Sequence, residues 1–138
     1  MELIELGFTG TKQGMTNQQR AEVAKLLEMF KPDRVHHGDC VGSDEEFHKI
    51  TTRDGYYRHL HPPINNRYRA FCEGDYSEKP GEYLERDQEM VDQVQLLIAT
   101  PDGFKERVRS GTWATVRRAR KKGIPIYIVH PNGWVVSE

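Results

Sequence analysis

A chain of 138 residues has the size of one domain, and its 36% hydrophobic and 30% charged residues are ordinary for a soluble globular protein. The formal net charge of −1 excludes a global attraction to nucleic acid or anionic membranes, and no run of about 18 apolar residues predicts a membrane span. Two cysteines are too few for a disulfide scaffold and the first residues do not resemble a signal peptide, so we expect one cytoplasmic domain over residues 1–138.

Segments with strand-like and helix-like patterns alternate along the chain. Short apolar runs indicate strands, and apolar residues that recur at spacings of three and four indicate helices. In chain order, the predicted elements are a strand at 3–8, a helix at 17–30, a strand at 34–37, a helix at 43–52, a strand at 57–61, a helix at 83–94, a strand at 96–100, a helix at 110–122 and a strand at 124–129. Thr16 or Asn17 is expected to cap the first helix, and Ser43 the second.

This alternation, with short turns, predicts an α/β fold. We expect a three-layer α/β/α Rossmann-like sandwich with right-handed crossovers and a mostly parallel, five-stranded sheet. The expected strand order is 3-2-1-4-5, which puts the topological switch point between the first and fourth strands. Ligands of such sheets bind at the carboxyl ends of the strands near that point, where the loops of Gly10 and Gly111 would face each other.

Three loops combine glycine with hydroxyl residues between a predicted strand and a predicted helix. They are Gly7–Lys12, His37–Asp44 and Arg109–Trp113. Glycine lets the backbone approach a ligand closely, and the helix that follows directs free N–H groups and a positive dipole end at an anion. Three such loops at one edge of a sheet predict a phosphate site, and hence a nucleotide-type ligand. No other cofactor is indicated.

Residues 64–81 form a long polar connection punctuated by glycine and proline. A connection of this length in a small domain is usually functional or mobile. Its Arg67, Tyr68, Arg69 and Phe71 side chains leave two interpretations open: they fold over a ligand, or they form an oligomer contact.

The stretch from Gly7 to Pro131 resembles the SLOG superfamily of Rossmann-like domains, which includes the DNA-processing protein DprA/Smf, Lonely-guy-type phosphoribohydrolases and molybdenum-cofactor carrier proteins. Gly10-Thr11-Lys12 is similar to the family's first glycine–hydroxyl–basic loop, and residues 38–44 to its second, a Gly-x-Ala-x-Gly-x-Asp pattern. Residues 109–113 stand where the phosphoribohydrolases carry Gly-Gly-x-Gly-Thr. The chain most resembles small bacterial and phage members, and the resemblance implies a homo-oligomer.

The chain departs from the phosphoribohydrolases at two positions. Their glutamate three residues after Gly-Thr is here Thr115, and a hydroxyl cannot replace a carboxylate as a base or stabilise an oxocarbenium ion. Their Arg-Lys pair is here Arg86-Asp87, which keeps the arginine and loses the lysine. The resemblance therefore implies phosphate binding more directly than hydrolysis.

The candidate ligand- and phosphate-binding residues combine the three loops with the positions that the resemblance adds. They are Thr9, Gly10, Thr11, Lys12, Gly38, Asp39, Gly42, Ser43, Asp44, Arg86, Arg109, Ser110, Gly111, Thr112 and Thr115. Arg109 is placed for a bidentate phosphate contact. Asp39, Asp44 and Arg86 are the candidate catalytic residues. Asp44 is also interpreted as a helix-start residue that holds a ribose hydroxyl, and Asp39 as either a solvated loop residue or a general base.

Two further groups of residues favour structural interpretations. Four histidines lie on or beside predicted strands without the spacing of a known metal motif, so no metal site is predicted. They are His36, His37, His59 and His61. The basic run at 117–122 suits a helix C-terminus in solvent, with DNA contact as the alternative.

Three functions fit these residues. In the first, the protein binds a phosphate-containing nucleotide or nucleotide-derived molecule, for example one related to NAD or ADP-ribose, as a sensor or sequestering protein. In the second, it is an N-glycosidase or phosphoribohydrolase acting on nucleoside 5′-monophosphates, in which Asp39 or Asp44 replaces the missing glutamate. In the third, it is a DprA-like module that binds single-stranded DNA. The absence of a placed catalytic carboxylate favours the first, so the expected partner is a small molecule rather than nucleic acid or a membrane.

Overall fold

The computed structural model describes residues 3–138 and contains one mostly parallel sheet with helices on both faces. The strands are β1 (Glu5–Gly10), β2 (Arg34–His37), β3 (Tyr57–Leu60), β4 (Tyr76–Ser77), β5 (Leu96–Thr100), β6 (Ile126–Val129) and β7 (Val135–Ser137). The helices are α1 (Asn17–Phe30), α2 (Ser43–Arg53), α3 (Tyr83–Gln93) and α4 (Gly111–Lys122), and a 3₁₀ turn spans Asn66–Tyr68. The fold class is therefore α/β, as the sequence predicts.

The predicted strand count and order need correction. The sheet has seven strands in the order β4-β3-β2-β1-β5-β6-β7, not five in the order 3-2-1-4-5. The five predicted strands form the centre, and β4 and β7 extend the sheet at its two edges. β7 pairs with β6 and is antiparallel, whereas the other neighbouring strands are parallel. Both additions are shorter than the runs of about four to eight residues that indicate a strand.

Two apolar clusters, one on each face of the sheet, hold the layers together. On one face, α1 and α2 pack on the sheet through residues such as Leu27 and Phe47, and the Phe47 ring stacks on Phe8 of β1. On the other face, α3 and α4 pack through residues such as Val91 and Trp113. This arrangement makes three layers and brings the start of each helix toward the carboxyl ends of the central strands.

The helix caps agree with the sequence at α1 and differ at α2. Thr16 caps α1, and together with Gln19 it forms a complete capping box. The predicted cap of α2, Ser43, is instead its first helical residue, and the cap is Gly42 with φ of 88°. A β-carbon at Gly42 would overlap the backbone carbonyl of Lys12, so glycine is required there for both its conformation and its size. Among the described residues, no helix combines the length and the apolar character needed to cross a membrane.

Residues 64–81 are ordered by contacts with the rest of the domain. The Val41 amide donates to the carbonyl of Tyr68 (2.9 Å), and an isolated bridge joins Cys40 to Arg69. A second bridge joins Pro63 to Gly81, and β4 pairs with β3. The segment therefore lies along the edge of the sheet and closes over the loop between β2 and α2.

Candidate ligand-binding site

A cavity of about 340 Å³ lies at the carboxyl ends of β1 and β2. Five chain segments enclose it: the end of β1 with its loop, the β2–α2 loop, the start of the 64–81 segment, the first two turns of α3 and the first turn of α4. The lining residues are Phe8, Thr9, Gly10, Lys12, Gly38, Cys40, Asp44, Pro63, Ile64, Asn65, Tyr68, Gly81, Glu82, Tyr83, Arg86, Asp87, Met90, Gly111 and Thr115. The three glycine loops thus meet around one space, next to the sheet's switch point between β1 and β5.

The cavity brings together about half of the residues that the sequence singles out. Those that line it are Thr9, Gly10, Lys12, Gly38, Asp44, Arg86, Gly111 and Thr115. Those outside the lining are Thr11, Asp39, Gly42, Ser43, Arg109, Ser110 and Thr112. Arg109 is exposed to solvent, whereas Ser43 and Thr112 are buried. The roles of both sets in ligand binding stay predictions, but the geometry assigns several of the second set to shaping the loops.

Close contact between the β1–α1 loop and the β2–α2 loop explains the identities of several candidate residues outside the cavity lining. Gly10 lies so near the side chains of Ser43 and Thr100 that a β-carbon would overlap both. The Ser43 amide donates to the carbonyl of Thr11 at 2.9 Å, which fixes one loop on the other. The hydroxyl oxygens of Thr11 and Ser43 are buried without a protein hydrogen-bond partner. The loops therefore form one packed unit beneath the cavity.

Asp39 anchors the 64–81 segment. Its side chain is fully buried, and its carboxylate accepts hydrogen bonds from the Cys72 amide (2.9 Å) and from Nε of Arg69 (3.3 Å). Its carbonyl accepts from the Ala70 amide at 2.8 Å. With both carboxylate oxygens engaged away from the cavity, Asp39 is better placed to position the segment than to act as a general base.

Arg86 and Asp44 lie together in the lining of the cavity. Arg86 donates from one terminal nitrogen to the carbonyls of Gly38 (2.9 Å) and His61 (3.2 Å), while its Nε is buried without a protein partner. Burial raises the pKa of Asp44 to about 7, although the Cys40 amide and the Arg86 guanidinium both stabilise its ionised form. At neutral pH, the Asp44 carboxyl group is therefore able to donate or accept a hydrogen bond.

Asp87 is a cavity residue that the sequence analysis does not single out. Its side chain is 8% exposed, and its Oδ2 is buried without a protein partner. Burial raises its pKa to about 6, against the stabilising effect of Arg86, Arg118 and the Thr115 hydroxyl. Its helical spacing offers a signal, because residues 83, 86, 87 and 90 follow one face of α3 and all line the cavity.

The loss of the phosphoribohydrolase glutamate at Thr115 does not leave the cavity without a carboxyl group, because Asp87 lies next to Thr115. Thr115 on α4 holds a hydroxyl where those enzymes have a glutamate, but Asp87 on the neighbouring helix lies beside it and supplies a carboxylate to the same space. The cavity therefore contains two carboxyl groups, Asp44 and Asp87, next to one arginine.

The outer part of the cavity is apolar and aromatic. Pro63, Ile64, Tyr68 and Tyr83 line it, and Lys12 places its ammonium 3.5 Å from the centre of the Tyr68 ring. A cation over an aromatic face is favourable, so this contact holds Lys12 at the rim. Flat rings next to a cation form a surface that suits a nucleobase and its phosphate.

The first turn of α4 also borders the cavity, and Gly111 lies beside the Tyr83 ring. Ser110 caps the helix by accepting from the Trp113 amide at 3.3 Å, and the Trp113 ring is buried in the core. In the first turn of a helix, amides such as those of Gly111 and Thr112 have no intrahelical acceptor and carry the positive end of the dipole. This end of the cavity therefore favours an anion.

Comparison with solved structures identifies the fold. The structure aligns with the molybdenum cofactor binding protein of the phototrophic bacterium Rippkaea orientalis with a TM-score of 0.74 at 18% identity, covering 94% of this chain and 78% of that one. DNA processing protein A (DprA) of Streptococcus pneumoniae aligns with a TM-score of 0.67 at 19% identity, covering 91% of this chain and 50% of DprA. The chain has the same Rossmann-like fold as these proteins.

These similarities are confined to the fold. A further match, a structural-genomics target, has a TM-score of 0.64 at 13% identity and covers 90% of this chain and 72% of the other. The chain spans half the length of the DprA structure that it matches. No protein-family model matches the sequence, and no curated protein matches it significantly. The chemistry of this domain must therefore be argued from its own residues.

Several cations of the basic run on α4 are held by internal contacts. Arg117 pairs with Glu106 (3.0 Å), and Arg120 pairs with Glu106 (2.7 Å) and Glu138 (2.6 Å). Lys122 donates to three carbonyls at the end of α3. These contacts favour the structural interpretation of the run over a stripe that contacts DNA.

Proposed function

We propose that the protein binds a phosphate-containing nucleotide or nucleotide-derived small molecule in this cavity and acts as its sensor or sequestering protein. The proposal rests on one observation. A single cavity of about 340 Å³ combines an aromatic rim, a lysine, a helix N-terminus, and two buried carboxyl groups beside an arginine. The description of the Rippkaea orientalis protein as a cofactor binder supports a small-molecule ligand for this fold.

The charges divide the proposed site into two parts. A phosphate is repelled by Asp44 and Asp87 when they are ionised, so it belongs near Lys12 and the first amides of α4. Carboxylates accept hydrogen bonds from vicinal hydroxyls, so a ribose fits beside Asp44 and Asp87. The base then lies at the apolar and aromatic rim, next to Tyr68 and Tyr83.

A second candidate function, hydrolysis of an N-glycosidic bond, is favoured by the two carboxyl groups. Cleavage requires one group that is protonated and one that is ionised near the anomeric carbon. Asp44 and Asp87, with pKa values raised by burial to about 7 and about 6, supply such a pair at neutral pH. In that case Asp87, and not Asp39, would replace the missing glutamate.

Ligand screening by thermal shift tests binding. AMP, ADP, ADP-ribose, NAD and inorganic phosphate are each added to the wild-type protein. A ligand at 100 times its Kd stabilises by about 2.7 kcal/mol, which raises the Tm by several degrees. Lys12→Ala should reduce this shift and the matched control Lys105→Ala should not. If none of these compounds raises the Tm, nucleotide binding is rejected.

Product analysis separates the two candidate functions. The compounds that raise the Tm are incubated with the protein and analysed by chromatography for free base. Release of base that disappears in Asp87→Asn, but not in the control Asp92→Asn on the exposed face of α3, makes the protein an enzyme. A Tm shift without base release supports a sensor or sequestering protein.

A further inference from the structure

A chain of hydrogen bonds between buried histidines runs beside the cavity. His36 on β2 places Nε2 at 2.9 Å from a carboxylate oxygen of Glu5, and Nδ1 at 2.8 Å from Nε2 of His61. His61 then places Nδ1 at 2.7 Å from a carboxylate oxygen of Glu89. Both rings are buried, and both ends of the chain are carboxylates.

When protons are assigned along this hydrogen-bond chain, the contact between His61 and Glu89 is left with two acceptors and no hydrogen. A carboxylate only accepts, so His36 carries its proton on Nε2, facing Glu5, and its Nδ1 is an acceptor. His61 must then carry its proton on Nε2, because burial disfavours a second proton on either ring. The bare Nδ1 of His61 consequently faces the Glu89 carboxylate at 2.7 Å. Two acceptors at this distance need a cation between them, either a proton or a metal ion.

A second carboxylate lies at the same place. Nδ1 of His61 and one oxygen each of Glu78 and Glu89 lie within 4.8 Å of one another. Nε2 of His59 is 3.0 Å from Glu78. Within residues 3–138, the salt bridges of these two glutamates are to histidines and not to lysine or arginine. Their negative charge is therefore not balanced by a fixed cation of the protein.

The two other groups of possible metal ligands in the described chain are satisfied by hydrogen bonds. In the first, Nδ1 of His36 and Nε2 of His61 are paired with each other, and Nε2 of His59 is paired with Glu78. The second group is His37, His48 and Cys72. Its histidines form a complete relay from the Asp39 amide, through the contact between His37 and His48 (2.8 Å), to the Glu73 carbonyl.

We propose that His61, Glu78 and Glu89 bind one divalent transition-metal ion, with His59 as a fourth ligand or as the hydrogen-bond donor that orients Glu78. One imidazole and two carboxylates form a mixed nitrogen and oxygen set of the kind that Zn²⁺ and its first-row neighbours accept. Bonds of about 2.0–2.2 Å to a tetrahedral ion place ligand atoms roughly 3.4 Å apart, so the 2.7 Å contact opens slightly and the wider separations close.

The histidine chain supplies what a metal-binding imidazole needs behind it. A ligand histidine usually donates its other N–H to an acceptor that fixes its tautomer, and such partners affect metal affinity by about 10–100-fold. Here Nε2 of His61 is held by His36, which is itself held by Glu5. The side chains of Glu78 and Glu89 are 23% and 40% exposed, so an ion can enter from solvent.

The site joins the ends of β3 and β4 to α3, and α3 is one of the helices that enclose the cavity. Glu78 directly follows β4, His61 follows β3 and Glu89 lies on α3. The His61 carbonyl also accepts from Arg86, which lines the cavity. A bound ion therefore fastens the 64–81 segment and α3 to the edge of the sheet, and its predicted effect is on stability rather than on a reaction.

Cobalt and zinc titrations of the full chain test this site. After dialysis against a chelator, wild-type protein should take up one equivalent of Co²⁺ with visible d–d absorption, and Zn²⁺ should raise its Tm. Glu89→Gln should weaken binding at least 10-fold, and so should Glu78→Gln. The matched control Glu85→Gln, an exposed residue one turn earlier on α3, should bind as the wild type does.

Two results would overturn the metal site. One is the absence of both the cobalt spectrum and the zinc-dependent Tm shift in the folded wild-type protein. The other is wild-type affinity in Glu89→Gln and Glu78→Gln. A protonated-carboxyl infrared band that disappears in Glu89→Gln would then identify a proton as the cation. Neither result depends on nucleotide binding, so the metal site and the proposed function succeed or fail separately.

Discussion

The carboxylate of Asp39 accepts a hydrogen bond of 2.9 Å from the backbone amide of Cys72, which lies 33 residues further along the chain. The same carboxylate accepts from Arg69 at 3.3 Å. Asp39 itself has φ of 52°, in the left-handed region that asparagine and aspartate tolerate better than most residues. This one residue therefore fastens the 64–81 segment, which forms one wall of the cavity, to the β2–α2 loop.

Asp39→Ala should destabilise the protein. It leaves the Cys72 amide and the Arg69 guanidinium without their buried acceptor, and hydrogen bonds to a charged group are worth about 1.5–3 kcal/mol each. We expect a loss of roughly 2–4 kcal/mol, measured by urea unfolding. Asp102→Ala removes the exposed pair with Arg107 and should cost about 0–1 kcal/mol. Equal losses in the two variants would contradict the anchoring role.

Asp39 also shows why part of the site could not be predicted. The sequence places this carboxylate correctly in a glycine-rich loop after a strand, but its partners are about thirty residues away and no local pattern connects them. Asp87, in contrast, could have been found from local pattern, because it is next to Arg86 on the face of α3 that lines the cavity. Local pattern predicts which loops meet, and long-range packing decides which of their side chains face the ligand.

The strands of the sheet also divide into those that the local sequence predicts and those that depend on pairing with a neighbouring strand. Central strands such as β5 are continuous apolar runs covered on both faces, so their sequence predicts them. The edge strands β4 and β7 contain two and three residues, and they exist because a neighbouring strand offers unpaired backbone groups. Such pairing leaves little trace in side-chain pattern, which explains why the predicted sheet has two strands too few.

The pH dependence of stability should reveal the buried Asp87 carboxyl. Burial raises its pKa to about 6 in the folded protein, above the unfolded value of about 3.9. Between about pH 4 and pH 6, the folded state holds more protons at this residue than the unfolded state does, so its contribution to stability falls as the pH rises through that window. Asp87→Asn removes this effect. As the pH is raised from 4 to 8, the stability of Asp87→Asn relative to wild type should therefore increase by roughly 1–3 kcal/mol.

The pH dependence of stability must be compared between variants, because the buried histidines make stability rise with pH whereas Asp87 makes it fall. Burial lowers the pKa of His36 to about 4, so this residue favours the folded state as the pH rises from about 4 to 6.5. Urea unfolding of wild type, Asp87→Asn and Asp92→Asn at pH 4.5 and pH 8 separates the two effects. If the difference between Asp87→Asn and wild type is the same at both pH values, the Asp87 pKa is not raised.

The glycines of the first two loops should resist substitution for steric reasons. Gly42→Ala introduces a β-carbon against the Lys12 carbonyl at a residue with φ of 88°, and backbone cannot move as a flexible side chain can. We expect a loss of more than about 2 kcal/mol, from strain and overlap together. Gly103→Ala, where no atom lies within 4 Å, should change stability by about 0.5 kcal/mol or less. Thermal or urea unfolding of both variants makes the comparison, and a neutral Gly42→Ala would show that the loops are not packed as described.

Lys122 should contribute more to stability than its exposed neighbour Lys121. Its ammonium donates to the carbonyls of Val91 (2.7 Å), Asp92 (2.9 Å) and Val94 (2.9 Å), where α3 ends and its carbonyls have no intrahelical donor. Lys122→Ala leaves these carbonyls without their charged donor, and urea unfolding should show a loss of about 1–3 kcal/mol. Lys121→Ala removes the same charge from the preceding position on α4 and should cost about 0.5 kcal/mol or less. If both variants lose the same amount, the general charge of the helix end, and not the cap on α3, accounts for the effect.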